Sequence, residues 1–322
     1  MAKSTSTALP PGPPGRWRPT LRLIHDARGA FREWSQKYGD PFYLHALNGP
    51  VVITGRPELI KQIFSHDPLA YDAFAERALR PMLGSGSLLL LNGERHRRER
   101  KLVMPLFHGD RMRSYAAIMQ QAALDAMENR PQNTAFDMLD ATTEISLSVI
   151  VQAVFGGEQA EATRRMIDLA QATVRRSLPI FFFSPKLHIK FFGLSPWDKF
   201  LRSRADLRSA LQAELRRRKE QPAEREDILS LMTEAQYEDG SPIALDDALD
   251  ELGTFLFAGH ETSAIALAWA IYHLHHNPPT LQRLEQELQA AGEVTGETLA
   301  KLPYLKAVVQ ETLRLHPIVT EV

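Results

Sequence analysis

The stretch Leu245–His276 reads LDDALDELGTFLFAGHETSAIALAWAIYHLHH and decides the fold of the chain. Its apolar residues recur every three or four positions, which is the spacing of one face of a helix. Asp246 and Asp247 stand near the start, where the helix dipole favours negative charge. The pattern therefore predicts one long helix that is buried along most of its length.

The middle of this predicted helix, Ala258–Ser263, combines small and polar residues. Gly259 needs a reason, because a glycine inside a helix costs about 1 kcal/mol relative to alanine. Small residues at Ala258 and Gly259 would let a flat group approach the backbone closely. The Thr262 hydroxyl can reach the carbonyl of Ala258, and the acid Glu261 beside it is suited to relaying protons. The alternative is a packing notch where a second helix crosses.

Composition excludes several classes of protein. The 322 residues contain 38 Lys and Arg against 39 Asp and Glu, a formal net charge of −1. Without a basic excess, binding to the phosphates of a nucleic acid is not expected. Residues 1–20 show no signal sequence, and no segment has the ~20 apolar residues of a membrane anchor. The sequence therefore predicts a cytoplasmic protein.

Proline, glycine and other turn residues divide the chain into elements. Residues 1–20 are expected to form an extended Pro- and Gly-rich tail, and residues 21–322 a single domain. A helix is predicted over 21–38, and a β-hairpin around the turn pair Asn48-Gly49. The stretch 77–92 is expected to be a loop, and helical patterns dominate the rest. The predicted fold class is mainly α with a small β annex.

Two further segments carry charged residues at helical spacing. Glu311 and Arg314 are three positions apart and can form an ion pair, although most such pairs are solvated and contribute little. His96 and Arg100 are four positions apart in a basic run and could bind one anionic group together. The alternative for that run is a solvated, basic helix end.

Together these segments resemble cytochrome P-450, the haem-thiolate monooxygenase family. Ala258–Ser263 is similar to the oxygen-activation motif of the family's long central helix. Glu311–Arg314 matches its Glu-x-x-Arg motif, which implies a structural ion pair behind the haem. The His96–Arg100 pair matches a His-x-x-x-Arg pattern that binds the haem propionates in many bacterial members. The resemblance covers about residues 21–322 and implies the helical fold of that family.

The resemblance implies a haem b cofactor, which is iron protoporphyrin IX, lying against the helix at Ala258 and Gly259. Thr262 and Glu261 would then be the catalytic residues, because they would deliver protons while dioxygen is activated. His96 and Arg100 would bind the cofactor through its propionates. The haem would supply the oxidising chemistry, and the protein would position it.

The resemblance also implies a substrate and partners. One oxygen atom from O2 would be inserted into an apolar substrate, fatty acid or terpene-like, with electrons from a ferredoxin or flavodoxin and its reductase. The aromatic-rich segment 178–183, with Phe191 and Phe192, falls where such enzymes roof the substrate pocket, and 71–91 would form the other half. Apolar lining suits an apolar substrate. The alternative is that these aromatic residues belong to an ordinary core.

The chain departs from the family pattern in one respect, since it contains no cysteine. In the family, a cysteine thiolate from a glycine-rich loop after the Glu-x-x-Arg helix is the axial ligand of the iron. We therefore expect an incomplete domain, truncated before that loop, with no axial metal ligand of its own. Monooxygenase activity is expected of a full-length form. The alternative is a catalytically inactive remnant or a non-enzymatic binder of haem or another ligand.

Overall fold

The computed structural model describes residues 9–46, 49–73, 76–107, 110–156, 160–178, 181, 186, 188–221, 225, 227–292 and 294–319. These residues are mainly helical, as predicted, and include one two-stranded sheet. The elements in chain order are α1 (Trp17–Tyr38), β1 (Phe42–Ala46), β2 (Gly49–Ile53), α2 (Pro57–Ser65), α3 (Glu76–Leu83), α4 (Gly93–Val103), α5 (Asp110–Glu128), α6 (Met138–Phe155), α7 (Ala160–Arg176), α8 (Pro196–Glu220), α9 (Ile228–Glu234), α10 (Leu245–His276), α11 (Pro278–Ala291), α12 (Gly296–Ala300) and α13 (Pro303–Leu315).

Helix α10 has the predicted bounds and organises the core. It packs along α6 and also contacts α3, α8 and α13. The main core lies between α5, α6, α7, α8, α9 and α10, and its fully buried members include Leu147, Val151, Ile228 and Leu252. The Ala258–Ser263 segment therefore follows directly after the part of α10 that this core buries.

The first helix begins at Trp17, four residues before the predicted start at residue 21. Pro19 lies in its first turn, where a proline costs little because the backbone amides there have no partner within the helix. The proline-rich sequence suggested an extended tail up to residue 20, and this tolerance of the first turn explains the difference.

The predicted β-hairpin is present. β1 and β2 pair antiparallel, with Phe42 opposite Ile53. Phe42 and Leu44 point to the same side of the strand and are buried with Trp34 of α1 in a small separate core. Asn48, half of the predicted turn, lies outside the described residues.

The stretch 77–92, expected to be a loop, is partly helical. Helix α3 occupies its first part, and a short 3-10 turn follows at Leu88–Leu90. Met82 and Leu83 of α3 are buried in a cluster that includes Phe200 of α8. Tertiary packing therefore stabilises a helix that is too short and too close to a Gly-Ser run to be predicted from propensity.

Among the described residues, α6 is the one helix whose length and composition would allow it to cross a membrane. Of its Met138–Phe155 window, 44% is buried inside the molecule, where α6 packs against α5, α7, α9 and α10. Core helices pass the same test of length and composition. This helix is therefore only weak evidence for a membrane span.

Candidate functional site

Ala258 and Thr262 lie one turn apart on α10. The Thr262 Oγ1 donates a hydrogen bond to the Ala258 carbonyl at 2.8 Å, the contact that the sequence predicts. Both residues are half-buried, whereas the neighbouring Glu261 is exposed to solvent. This hydroxyl competes with a backbone amide for the carbonyl, an effect that slightly destabilises a helix. The hydroxyl and, at the neighbouring position, the solvent-facing carboxyl are both groups that can exchange protons.

Gly259 faces helix α6. A Cβ atom built on it would lie 3.0 Å from both Cγ1 and Cδ1 of Ile150, closer than ordinary packing allows. In the same interface the Ser146 hydroxyl donates a hydrogen bond to the His260 carbonyl at 2.7 Å. The close approach at Gly259 is therefore a packing notch between two helices, and Ala258 and Thr262 are the half-buried small and polar residues beside it.

His96 and Arg100 lie one turn apart on α4 and differ from the other basic residues of that helix. The other four each form an ion pair: Arg95 with Asp247, Arg97 with Glu94, Arg98 with Asp239, and Lys101 with Glu238. Arg100 is exposed and has no acidic partner in the part of the chain that the structure describes. Burial, and then the charge of Arg100, lower the pKa of His96 below its usual value. Arg100 therefore remains available to an anion from outside the chain.

Glu311 and Arg314 form the predicted ion pair. The Arg314 Nε and Nη2 donate to the two carboxylate oxygens of Glu311, both at 2.7 Å, and the pairing lowers the pKa of Glu311. Both side chains are more than half exposed, so water screens the interaction. Nearby, His316 stacks on Trp269 at 3.7 Å and thereby holds the end of α13 against α10.

These pairs stay separate in the structure. No hydrogen bond or ion pair among the described residues joins His96 or Arg100 to Thr262 or Glu261. The link between their helices is indirect, because the ion pair of Arg95 with Asp247 fixes α4 to the first turn of α10 at 2.8 Å. This ion pair therefore joins the two helices. The pair His96–Arg100 and the pair Glu261–Thr262 lie at different places on them.

A narrow, mostly apolar cleft lies between α3, α7, α8 and α10. The cleft is partly open to solvent, and its enclosed interior is small. The cleft reaches Phe257, the residue before Ala258. Its walls are formed by Met82, Leu83, Ala170, Thr173, Val174, Phe200, Arg204, Leu207, Arg208, Leu211, Leu249, Gly253, Leu256 and Phe257. Such a lining suits an apolar ligand with a polar group at one place.

The predicted roof of the pocket is only partly found. Met82 and Leu83, from the stretch 71–91, do line the cleft. Phe181 is a core residue that packs against the aromatic side chains of α8, and Phe192 is 92% exposed and turned away to solvent. Most of the segment 178–183 lies outside the described residues.

Sequence reasoning missed two charged residues in this region. Arg204 lies four positions after Phe200 and three before Leu207, so it falls on the apolar face of α8. This helical spacing is the sequence signal that could have identified it. Glu251 is fully buried in α10, and within the described part of the chain neither of its carboxylate oxygens forms a hydrogen bond of ordinary geometry. Burial raises the pKa of Glu251 to about 8, helped by the carboxylates of Glu99, Asp250 and Asp247 and partly offset by the Leu88 backbone amide.

Comparison with known proteins agrees with this architecture. The cytochrome P450 family model matches residues 10–322. Cytochrome P450 138 of Mycobacterium bovis is 33% identical over 300 residues, which cover 89% of this chain and 67% of that protein. Cytochrome P450 135B1 of the same organism is 32% identical, over all of this chain and 68% of that protein. The structure of retinoic acid-bound cyanobacterial CYP120A1 superimposes with a TM-score of 0.83 at 26% identity, over 97% of this chain and 70% of that one.

These relatives are haem-binding oxygenases, and this chain shares their helical fold around one long central helix. The chain belongs to the cytochrome P450 family. Members of this family bind haem and act as monooxygenases.

The described residues include a cation that could hold a propionate of haem. The observation in favour is Arg100, which has no acidic partner among the described residues, on a helix whose four other cations are all paired. Haem propionates are anions that an arginine can bind through two parallel hydrogen bonds. The thiolate ligand of the family is not among these 322 residues, which contain no cysteine.

Proposed function

We propose that this chain forms the α10 side of a haem-dependent monooxygenase that acts on an apolar substrate. The observation that carries the proposal is the charge pattern of α4. Arg100 is exposed and unpaired in the described part of the chain, and His96 lies one turn before it. Together these side chains can bind the propionates of haem b, as the family pattern implies.

Thr262 and Glu261 are the proposed catalytic residues. Bound haem supplies the oxidising chemistry, and the protein has to supply protons and exclude excess water. The Glu261 carboxyl is exposed and exchanges protons with solvent, and Thr262, the next residue, is half-buried with its Oγ1 held by the Ala258 carbonyl. A proton therefore passes from solvent through Glu261 to Thr262. Ala258 leaves room on this face, and Gly259 contributes by letting α6 pack closely.

The substrate is proposed to be apolar, fatty acid or terpene-like. The cleft that reaches Phe257 is lined mainly by aliphatic and aromatic side chains, and desolvating them favours an apolar ligand. Retinoic acid, the ligand named for the CYP120A1 structure, is itself largely apolar. This likeness supports an apolar substrate for the present chain.

The remaining partners are O2 and an electron donor such as ferredoxin or flavodoxin with its reductase, in the cytoplasm. Basic residues on α4 favour the approach of an acidic donor. Because four of them are already paired with carboxylates, the local positive potential is smaller than the sequence suggests. An acidic donor would have to compete with these ion pairs.

A second candidate function uses the same residues without oxidation. A chain with no cysteine ligand could serve as a haem or ligand binder, and these 322 residues contain no cysteine. The absorption spectrum of the protein purified from its complete coding sequence, reduced and bound to carbon monoxide, separates the two functions. A thiolate-ligated haem gives a strongly red-shifted Soret band, and a haem held without thiolate does not.

The haem site is tested by titrating the protein with haem and following the Soret absorbance. Arg100→Met is expected to weaken haem binding by about tenfold, because charge-assisted hydrogen bonds to a propionate are lost. Arg97→Met removes a cation from the same helix, but one that Glu94 already neutralises, and should leave the affinity unchanged. No haem binding by the unchanged protein, or equal losses in the two variants, would overturn the proposal.

A further inference from the structure

Arg204 brings a positive charge into the wall of the apolar cleft. The residue lies on α8 between Phe200 and Leu207, both of which also line the cleft. Apart from Arg208, one turn later, the other residues of the wall carry no charge. Only about a quarter of the Arg204 side chain is exposed. A guanidinium held among aliphatic and aromatic groups is unfavourable unless an anion compensates it.

Asp250 does not fully compensate Arg204. One oxygen of this buried carboxylate forms an ion pair with Arg208, and the other accepts a hydrogen bond from the Gly86 amide at 3.0 Å. The Nη2 of Arg204 lies 3.5 Å from Asp250, longer than a good charge-assisted hydrogen bond. Two guanidinium groups therefore share one buried carboxylate.

The other acid in the region serves Arg208. Asp246 is mostly exposed and pairs with Arg208 Nη2 at 2.6 Å. Arg204 is held instead by a neutral group, since its Nε donates to the Met82 carbonyl at 2.6 Å. Its Nη1 forms no hydrogen bond among the residues that the structure describes. Burial and the charge of Arg208 lower the pKa of Arg204, and Asp250 only opposes this.

We propose that Arg204 is a specificity-determining residue that binds the carboxylate of an apolar monocarboxylic acid, whose chain occupies the rest of the cleft. This inference rests on the proposed function and narrows its substrate class, since it favours an acid over a neutral terpene-like molecule. The backbone bond to Met82 uses only Nε, so Nη1, together with Nη2 and its long 3.5 Å contact to Asp250, can form a two-point contact with a carboxylate. The aliphatic and aromatic side chains of the wall are suited to contact an acyl chain.

The test compares two ligands of equal chain length, palmitic acid and 1-hexadecanol, by equilibrium dialysis against the full chain. The unchanged protein should bind the acid at least about tenfold more tightly than the alcohol. Arg204→Met should lose about tenfold or more in affinity for the acid and change by less than about threefold for the alcohol. Arg204→Lys keeps the charge without the planar two-point contact, so its affinity for the acid should be intermediate.

Arg202→Met is the matched control, because Arg202 lies on the same helix but is exposed and outside the cleft. Circular dichroism shows whether each variant is folded. Equal binding of acid and alcohol, or an equal loss in Arg202→Met and Arg204→Met, would overturn the inference and leave the proposed function standing. Failure to bind either ligand would overturn the apolar-substrate proposal itself.

Discussion

Glu251 is a single residue whose environment sets a pH dependence for the fold. In the unfolded chain its carboxyl has a pKa near 4.5, and in the folded protein burial raises this pKa to about 8. Between these values the folded state holds a proton that the unfolded state has lost, so the free energy of unfolding falls as pH rises. Above pH 8 the full cost of burying the charge applies, on the order of 4–5 kcal/mol.

We therefore expect Glu251→Gln to remove part of the pH dependence of stability. The variant should be about as stable as the unchanged protein at pH 5 and several kcal/mol more stable at pH 8.5, because glutamine cannot ionise. Urea unfolding at pH 5, 7 and 8.5 measures the difference. Glu285→Gln, at an exposed position of α11, is the control and should follow the unchanged protein. A constant difference between the two proteins over this pH range would show that Glu251 does not titrate as inferred.

Residue contacts set by local spacing were predictable, and those set by distant segments were not. The bond from Thr262 to Ala258 follows from four-residue helical spacing and was expected. Glu251 stands in an acidic helix start, and such acids are normally solvated. Its burial depends on packing with the separate segments around Leu88 and Glu99, which no local pattern reveals.

At the scale of elements, the packing of α6 on α10 determines how much room is left for a side chain at Gly259. Gly259 and Ile150 meet in this interface, and the Ser146 hydroxyl caps a carbonyl of α10 there. Two opposing effects decide the outcome of adding a methyl group at Gly259. Alanine is the better helix former by about 1 kcal/mol, whereas overpacking costs about 1–3 kcal/mol.

Gly259→Ala is expected to destabilise the protein by about 1 kcal/mol, because the clash with Ile150 outweighs the gain in helix propensity. In an Ile150→Ala background the same substitution should stabilise by up to about 1 kcal/mol, since the neighbouring side chain is gone. Urea unfolding of the four proteins gives the coupling between the sites. The same sign of effect in both backgrounds would contradict a packing notch at Gly259.

Element boundaries were predictable where the pattern was long. The bounds of α10 follow from 32 residues of continuous helical pattern, ended by Asn277 and two prolines. Helix α3 has only eight residues, includes Pro81 and was missed. Its stability comes from burying Met82 and Leu83 against α8, which is about 120 residues away in the sequence.

At the scale of the whole molecule, the fold class was predictable and the cleft was not. Helical periodicity and the motif order indicated a mainly helical protein, which the family match confirms. The walls of the cleft come from four helices, α3, α7, α8 and α10, which span most of the chain. Which side chains meet there depends on how the helices cross, and crossing angles are not encoded in any single segment.

Net charge and exposed apolar surface together govern how the molecules interact with one another. The formal net charge is only −1, so electrostatic repulsion between copies is weak at neutral pH. Large apolar side chains are exposed on several helices, among them Trp17 of α1, Phe64 of α2, Leu267 of α10, and Val309 and Leu313 of α13. Exposed apolar area at low net charge favours association.

We therefore expect the 322-residue chain to self-associate reversibly, with a weight-average sedimentation coefficient that rises with concentration. Val309 is 46% exposed on α13, and Val309→Glu should weaken association by about threefold, which corresponds to losing roughly half of the burial energy of a valine. Gln310→Glu adds the same charge at the next exposed position without removing apolar surface, so it should have a smaller effect. A monomer at every concentration, or equal effects of the two variants, would show that the apolar face of α13 does not drive association.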